Sequence, residues 1–264
     1  MFIITSTADK ATREDVRGHW NAYGVQNGLT VGYAFVLGRP SKQDLPGVLA
    51  EAKAHKDLVV LDSEDTYRRL AWKTLGLFQY ADKHCGHVKA VVKVDADVVL
   101  HIPNLVAGLK AADRMGKLSQ PGIIGNIFWR GGLLRNPKHK NHESPLNWPD
   151  SLGKMYPAYA SGPSYIVTMA AVKEFVHKNT GFNVLSNEDV NTGILAMQRK
   201  TPMYKWNQLY FFTPAVAKRK FGQLTDAECG IPIVGVHHLG LRSSMRHALM
   251  ERWGQCKVDP ASLL

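Results

Sequence analysis

Features that assign a chain quickly to a structural class are scarce in this sequence. No run reaches the roughly 18 apolar residues that span a bilayer as a helix. The opening MFIITSTADK lacks the basic n-region and long apolar region of a signal peptide. It is expected to form a first strand, and any membrane anchor is expected only upstream of it. Three cysteines among 264 residues are too few for a disulfide scaffold.

Sequence motifs of several common enzyme and nucleic-acid-binding classes are missing as well. There is no Gly-x-x-x-x-Gly-Lys loop, no Gly-x-Ser-x-Gly elbow and no Gly-x-Gly-x-x-Gly fingerprint. P-loop nucleotide hydrolysis, esterase chemistry and Rossmann-type dinucleotide binding are therefore disfavoured. Helix-turn-helix, zinc-finger and RNP patterns are also missing. The basic clusters Arg68-Arg69, Lys138–Lys140 and Lys218–Lys220 therefore indicate solvated faces, and no nucleic-acid partner is expected.

The composition is that of an ordinary soluble globular protein. Hydrophobic residues make up 45% of the chain and charged residues 21%, which excludes a disordered, collagenous or coiled-coil chain. The length suffices for one large domain with a buried core. Lys and Arg exceed Asp and Glu by 33 to 22, a net charge of +11. This surplus favours an anionic partner: nucleic acid, acidic lipid or a phosphorylated small molecule.

Apolar runs alternate with helical patterns, which predicts a layered α/β fold in a single domain spanning residues 1–264. Strands are predicted at Phe2–Ser6, Val31–Leu37, Leu58–Leu61, Ala90–Val94, Ile123–Phe128, Tyr165–Val167, Tyr210–Thr213 and Ile233–Val236. Helices are predicted at about Thr12–Tyr23, Leu45–His55, Asp65–His84, Asn104–Met115 and Ala170–His177, from Asn187 to before Pro202, and at Leu241–Trp253. The long polar stretch from Trp129 to Met155 is predicted to be a functional or mobile loop.

Two carboxylates follow the apolar strand that ends at Val94. Asp95 and Asp97 are spaced i, i+2, which in an extended chain directs both side chains to the same side. Hard oxygen donors at the carboxyl end of a strand suit Mg²⁺ or Mn²⁺, and such ions suit a diphosphate. A lone Asp-x-Asp is a weak signal, and the alternative is a solvated turn between strand and loop.

A second acidic pair, Glu188-Asp189, follows Asn187 at a predicted helix start. Acidic residues in a first turn complement the helix dipole, and Asn187 is a possible N-cap, so a purely structural role is the stronger reading of this pair alone. The functional alternative is a general base that takes a proton from an attacking hydroxyl.

Two further segments could contribute to a site. His237 ends a late apolar strand, and imidazole is a common ligand for Mn²⁺-like metals, although a single such histidine is more often structural. The segment from Met155 to Gly162 is rich in aromatic residues, Pro and Gly, which predicts a shaped turn. Its rings could pack on the C–H faces of sugars or in a core.

The order of these segments is more specific than any one of them. Ile4-Thr5-Ser6, followed by Arg13, Val16, Arg17 and Trp20, resembles a family opening strand and its Ile-Arg-x-Thr-Trp helix. Phe35–Gly38 resembles Phe-Leu-Leu-Gly, and Asp65-Thr66-Tyr67 with Leu70, Lys73 and Thr74 resembles Asp-Ser-Tyr-x-Asn-Leu-Thr-x-Lys-Thr. Lys93–Val98 resembles Lys-Thr-Asp-Asp-Asp-Val, and Tyr156–Tyr165 resembles Tyr-Pro-Pro-Tyr-Cys-x-Gly-x-Gly-Tyr. Glu188-Asp189-Val190 with Gly193, and the late Val236-His237, complete the series.

In this order the chain, from Ile3 to Cys256, resembles the β-1,3-galactosyltransferase family, which also contains β-1,3-N-acetylglucosaminyltransferases and, more distantly, the Fringe enzymes. The resemblance implies a GT-A type fold, with a Rossmann-like mixed sheet flanked by helices. It assigns the nucleotide-sugar part to about residues 1–128 and the acceptor and catalytic part to about 129–264. The implied reaction moves galactose or N-acetylglucosamine from a UDP-sugar to a glycan hydroxyl in β-1,3 linkage, with inversion, on a glycoprotein or glycolipid.

The resemblance also implies roles for individual residues. Asp189 would be the catalytic base, with Glu188 beside it. Asp97, Asp95 and His237 would bind Mn²⁺ or Mg²⁺. The nucleotide-sugar would be bound by Thr5, Ser6, Arg17, Lys73 and Lys93, and the acceptor by Trp129, Tyr156, Ser161 and Gly162. A Golgi-lumenal location is implied, with membrane contact only through an anchor that this sequence lacks.

The sequence departs from the family pattern at three positions. Ala96 replaces the central Asp of the metal motif, Ala160 replaces a frequent Cys, and Pro163 replaces a Gly. The family pattern implies a disulfide between Cys229 and Cys256, which would leave Cys85 unpaired. The departures keep a second hypothesis open, a catalytically inactive glycan-binding or scaffold protein derived from the same fold. A basic nucleic-acid binder is the third and least supported one.

Overall fold

A computed structural model describes residues 1–20, 25–26, 29–177, 184–206 and 235–236. The strands are β1 (Phe2–Ile4), β2 (Val25–Gln26), β3 (Leu29–Thr30), β4 (Ala34–Arg39), β5 (Leu58–Glu64), β6 (Ala90–Asp95), β7 (Val99–Leu100), β8 (Ile123–Phe128), β9 (Gly131–Gly132), β10 (Met155–Tyr156), β11 (Tyr159–Thr168), β12 (Met203–Lys205) and β13 (Gly235–Val236). The helices are α1 (Lys10–Trp20), α2 (Leu45–His55), α3 (Leu70–Cys85), α4 (Ile102–Arg114), α5 (Met169–His177) and α6 (Glu188–Arg199).

A seven-stranded mixed sheet runs through the molecule in the order β12-β8-β11-β6-β1-β4-β5. Strand β1 is parallel to both β4 and β6, with Ile4 opposite Val36 on one side and Asp95 on the other. Strand β11 is antiparallel to β6 and β8. The carboxyl ends of β1, β4 and β6 therefore meet at one edge, where open α/β sheets bind their ligands.

The central strands are apolar on both faces because helices cover both sides of the sheet. One core packs α1 and α4 against the sheet through Val16, Leu105 and Val106. The other packs α3, α5 and α6 through Leu77, Val172 and Leu195. The sequence-based prediction of a layered α/β fold is therefore confirmed.

Some of the predicted helix and strand bounds agree with the structure, and others differ from it. The observed α2 and β8 have the predicted bounds. The helix predicted from Asp65 begins instead at Leu70, after a separate 3₁₀ turn at Tyr67–Arg69. Tyr67 lies in this 3₁₀ turn, and its side chain is 55% exposed. Strands β7 and β12 were not predicted, because two or three residues carry too little pattern.

Strand β11 is longer than the predicted Tyr165–Val167 and absorbs much of the segment expected to form a shaped turn. Its pairing with β8 shifts register between Ala160 and Tyr165. Pro163 lies in this interval and has no N–H to donate to the ladder, which accounts for an interruption there.

The segment from Trp129 to Met155, predicted as a functional or mobile loop, is held in place by strand pairing and by several hydrogen bonds. Strands β9 and β10 pair antiparallel. Arg135 donates to the carbonyl oxygens of Glu143 (2.9 Å) and Trp148 (2.7 Å). Glu143 is fully buried, and its carboxylate accepts hydrogen bonds from Asn147 and from the backbone N–H of Ser186. The segment is thus attached to the chain that leads into α6.

Several sequence-based predictions fall outside the described residues: strand Tyr210–Thr213, helix Leu241–Trp253, His237, and the Cys229–Cys256 disulfide. Of the predicted strand Ile233–Val236, the described part is β13, which pairs antiparallel with β7. Cys85 forms no disulfide with any described residue. Within the same ranges, none of the helices is long and apolar enough to cross a bilayer.

Candidate active site

A fully buried lysine stands at the centre of the candidate site. Lys93 lies on β6, and its Nζ donates to Asp95 Oδ1 at 2.6 Å, to Glu188 Oε1 at 2.7 Å and to the carbonyl of Gly162 at 2.5 Å. Burial alone would favour the neutral amine, but the two carboxylates raise the pKa of Lys93 above its ordinary value. Lys93 therefore joins the end of β6 to the start of α6 as a cation.

Asp95, the last residue of β6, is partly exposed on the far side of this contact. Burial raises its pKa to about 6; the charge of Lys93 opposes this shift, while Glu188 and Asp97 add to it. The carboxylate is thus held by Lys93 while still reaching the surface.

Asp97 does not continue the strand, contrary to the expectation of an extended Asp-x-Asp pair. The N–H of Val98 donates to the carbonyl of Asp95 at 3.0 Å and closes a turn over Ala96 and Asp97. The same-side argument for alternate residues of a strand therefore does not apply. Asp97 is nevertheless exposed at the same edge of the sheet as Asp95.

Glu188, the first residue of α6, lies behind the site. It is buried, and besides Lys93 it accepts hydrogen bonds from Thr74 Oγ1 (3.1 Å) and from the hydroxyl of Tyr165 (3.0 Å). Both of its oxygens are therefore occupied by protein donors. These contacts anchor the N-terminus of α6 against β6, β11 and α3.

Asp189 follows Glu188 and is partly exposed. Its Oδ2 accepts the backbone N–H of Gly162 (3.1 Å), and its Oδ1 accepts that of Val190 (2.8 Å). Burial, followed by the charge of Glu188, raises the pKa of Asp189 to about 7, while Lys93 and the two N–H groups oppose the shift. A carboxylate with a pKa near neutrality is suited to accept a proton in catalysis. Asn187, expected as the N-cap, makes no side-chain capping bond.

Two of the residues implied to bind nucleotide, Thr5 and Ser6, follow β1 at the same edge of the sheet. Thr5 is buried, and its carbonyl accepts from Lys73 Nζ at 2.9 Å. Lys73 is also buried and forms an ion pair with Asp65. Ser6 donates to Asp9 at 2.8 Å. Lys73 thus ties the end of β1 to α3.

Arg17 lies in a different buried network. It is 4% exposed, and its guanidinium contacts Asp57 (2.8 Å) and Glu51 (2.7 Å), with Arg13 on the other side of Glu51. The two carboxylates raise the pKa of Arg17 despite its burial. Arg17 therefore links α1 to α2 and to Asp57, the residue that precedes β5, and the structure does not bring it into contact with the Lys93 carboxylates.

Of the predicted acceptor residues, Gly162 is joined by hydrogen bonds to Lys93 and Asp189. Trp129 is 59% exposed, whereas Tyr156 is buried and packs edge-on against Trp148. Ser161 is buried, and Gly162 contributes backbone groups to both Lys93 and Asp189. A Cβ on Gly162 would lie 3.2 Å from the carboxylate oxygens of Asp189 and Glu188. An added Cβ would therefore press on both carboxylates, because α6 and β11 approach closely here.

The donor set at this edge fits a hard divalent cation. Asp95 and Asp97 offer oxygen ligands, and Mg²⁺-type ions are typically held by one or two carboxylates together with substrate phosphates. Among the described residues there is no group of three or more His, Cys, Asp or Glu placed to hold a metal by themselves. His237, the third implied ligand, lies outside them.

Thr74 and Tyr165 belong to the sequence motifs without an assigned role, whereas the structure shows that both donate hydrogen bonds to Glu188. The sequence did carry a signal for these contacts. Lys93 interrupts the apolar run of β6, and Tyr165 begins the buried apolar end of β11. A polar side chain in such a run needs a buried partner.

Comparisons with known proteins are consistent with one another. Residues 11–207 match the family model described as Galactosyltransferase. The chain is 28% identical over 218 residues to beta-1,3-galactosyltransferase 4 of Mus musculus, covering 74% of this chain and 58% of that one. It is 28% identical over 207 residues to lactosylceramide 1,3-N-acetyl-beta-D-glucosaminyltransferase of Mus musculus, covering 74% and 53%.

The aligned region spans little more than half the length of these relatives. Among solved structures, the galactosyltransferase LgtC in complex with donor and acceptor sugar analogs aligns over 100% of this chain and 96% of that one. The TM-score is 0.40 and the identity 12%. The family-model match covers most of the sequence. The chain therefore belongs to the galactosyltransferase family.

Proposed function

We propose that the protein is an inverting, metal-dependent hexosyltransferase of GT-A type. It would transfer galactose or N-acetylglucosamine from a UDP-sugar to a hydroxyl of a glycan in β-1,3 linkage. Family membership and the names of the relatives support glycosyl transfer. The observation that carries the proposal is Asp189, a partly exposed carboxylate of raised pKa, joined through Glu188 and Lys93 to the Asp95 end of β6.

The reaction assigns Asp189 to the acceptor side. Its carboxylate takes the proton of the acceptor hydroxyl while that oxygen bonds to the anomeric carbon of the sugar. The bond from the same carbon to the diphosphate oxygen breaks, and its electron pair leaves with UDP. Attack from the face opposite the leaving group converts the α-linked donor into a β-linked product. A positioned base of this kind contributes about 10²–10⁴-fold, with an alcohol in place of the water of inverting hydrolases.

The remaining residues position these groups. Lys93 fixes Asp95 and Glu188 relative to each other, and Glu188 anchors the helix that carries Asp189. The N–H of Gly162 orients the Asp189 carboxylate. When bound, Mn²⁺ or Mg²⁺ would be held by Asp95, Asp97 and His237 and would offset charge developing on UDP. The location proposed is the Golgi lumen, by family resemblance.

The test is UDP release by the purified protein, measured across a panel of UDP-sugars with and without Mn²⁺ and a glycan acceptor. We expect Mn²⁺-dependent release with UDP-galactose or UDP-N-acetylglucosamine, and its loss in Asp97→Ala and Asp189→Ala. Full activity in Asp189→Ala would remove the base assignment. The second candidate is a catalytically inactive glycan-binding or scaffold protein derived from the same fold, motivated by Ala96 in place of the central motif Asp and Ala160 in place of a Cys. UDP binding without transfer or hydrolysis of any sugar would support that candidate.

A further inference from the structure

A groove of about 510 Å³ opens beside the N-terminus of α6. Its walls include Thr66, Tyr67, Arg68, Arg69, Trp72 and Ser186. Its volume falls within the roughly 300–1,000 Å³ of typical small-molecule sites. None of these side chains has a part in the reaction described above, although Arg68 and Arg69 form one of the basic clusters of the sequence.

One wall of the groove is the chain that leads into α6, from Val184 to Ser186. Ser186 precedes Glu188 by two residues, and its N–H is held by Glu143 at 3.0 Å. Tyr67 forms part of the groove wall. Burial, followed by the charges of Asp189, Asp95 and Glu188, raises the pKa of its hydroxyl, so these carboxylates are close enough to act on it. That hydroxyl also donates to Asn141 at 3.0 Å. A ligand lying in the groove would therefore extend from the position of the acceptor hydroxyl near Asp189.

The lining has the chemistry of a carbohydrate subsite. Trp72 is 46% exposed in the first turn of α3, and Tyr67 offers a second exposed ring. Aromatic faces pack well against the C–H faces of sugar rings. Arg69 Nε lies 3.5 Å from Glu64, whereas Arg68 has no ion pair within the part of the chain that the structure describes. The guanidinium of Arg68, in the groove wall, carries N–H donors of the kind that bind ring hydroxyls.

We propose that this groove is a second acceptor subsite, which holds the sugar residue next to the one that receives the transferred hexose. The preferred acceptor is then an oligosaccharide of at least two residues. This inference rests on the proposed function and adds a binding position separate from Trp129 and Tyr156. The basic side chains Arg68 and Arg69 also make the subsite tolerant of a negatively charged substituent.

The test compares matched acceptors that end in the same sugar. Methyl β-galactoside is paired with methyl β-lactoside, and methyl β-N-acetylglucosaminide with methyl β-chitobioside, using the UDP-sugar that proves active. We expect a higher kcat/KM for the disaccharide of the accepted pair. In Trp72→Ala this preference falls about three- to tenfold, as expected of one aromatic contact, mainly through KM. Arg68→Ala reduces it less, and Leu49→Ala, an exposed change on α2, retains it.

An unchanged preference in Trp72→Ala, or no preference in the wild-type protein, overturns the subsite. If no sugar is transferred to either acceptor, the proposed function fails and the subsite is judged by direct binding. Calorimetric titration with the two disaccharides then decides. Binding that weakens in Trp72→Ala but not in Leu49→Ala supports the groove. Binding that is absent, or equal in both variants, overturns it.

Discussion

Lys93 Nζ and Glu188 Oε1 lie 2.7 Å apart, although 95 positions separate the two residues in sequence. The contact joins β6, which ends at Asp95, to α6, whose first turn contains Asp189. A buried pair of this kind is costly to break, because the remaining charge has no partner. The relative positions of Asp95 and Asp189 therefore depend on a contact between two other residues, Lys93 and Glu188.

Removing the lysine charge should destabilise the protein strongly. In Lys93→Met both Asp95 and Glu188 lose their counter-charge, and we expect a loss of about 3–5 kcal/mol in the free energy of unfolding by urea denaturation. Lys89→Met is the matched control. Lys89 pairs with Asp113 but is 60% exposed, so its loss should stay within about 1 kcal/mol. A cost for Lys93→Met no greater than that of the control contradicts the assigned role. The double variant with Glu188→Gln should cost less than the sum of the single variants.

The pH profile of transfer should report the protonation of Asp189. Its pKa of about 7 predicts that kcat/KM rises with pH through neutrality and levels off above it, since the base acts as the anion. The charge of Glu188 raises this pKa, so Glu188→Gln should move the rising limb to lower pH. The measurement is kcat/KM for the acceptor between pH 5 and 9. A limb that stays in place or moves to higher pH in this variant argues against Asp189 as the titrating base.

The same shift predicts a pH-dependent difference in stability. The Asp189 carboxyl has a folded pKa of about 7, against about 3.9 in an unfolded chain. Between these values the folded state retains a proton that the unfolded state releases, so the group's contribution to stability falls as pH rises. Asp189→Asn lacks this dependence. Urea denaturation should show the variant gaining stability relative to wild type from pH 4.5 to 7.5. A constant difference across that range contradicts the raised pKa.

The close approach of α6 to β11 should make Gly193 hard to replace. A Cβ there would lie 2.5 Å from the carbonyl oxygen of Ala158 and 2.6 Å from Tyr159 Cβ. Gly193→Ala must therefore shift the helix that carries Asp189, and we expect lower stability together with lower kcat. Gly18→Ala on α1 is the control, because nothing lies within 4 Å of its added Cβ. It should be neutral or stabilise by up to about 1 kcal/mol. Full activity and stability in Gly193→Ala would contradict the packing.

The pattern of apolar and polar residues along the chain correctly predicted several element bounds, because these depend mainly on local sequence. The bounds of α2 and β8 and the carboxylate at the end of β6 follow from apolar runs and their breaks. The turn at Asp97 did not follow, because it depends on a backbone hydrogen bond from Val98 that no side-chain pattern encodes.

The periodicity of apolar residues does not predict contacts between segments that are distant in sequence. The burial of Lys93 among Asp95, Glu188 and Gly162 arises only when β6, β11 and α6 are assembled. The same holds for Arg17, which the family pattern assigns to the nucleotide but which is enclosed by Glu51 and Asp57. The ordered motifs therefore identified the family's characteristic residues, but they did not distinguish a residue that binds a ligand from one that forms a buried structural ion pair.

The 129–155 segment contains one part that is anchored by the buried carboxylate of Glu143 and another that is exposed, and we expect the two parts to differ in their tolerance of sequence changes. Its bond to the N–H of Ser186 links the segment to the chain that leads into α6, so we expect a deletion or insertion beside Glu143 to displace Asp189. Leu146, three residues further along, is 87% exposed. The exposed tip around Leu146 should therefore tolerate replacement, provided that Glu143 and the groups that it binds are kept.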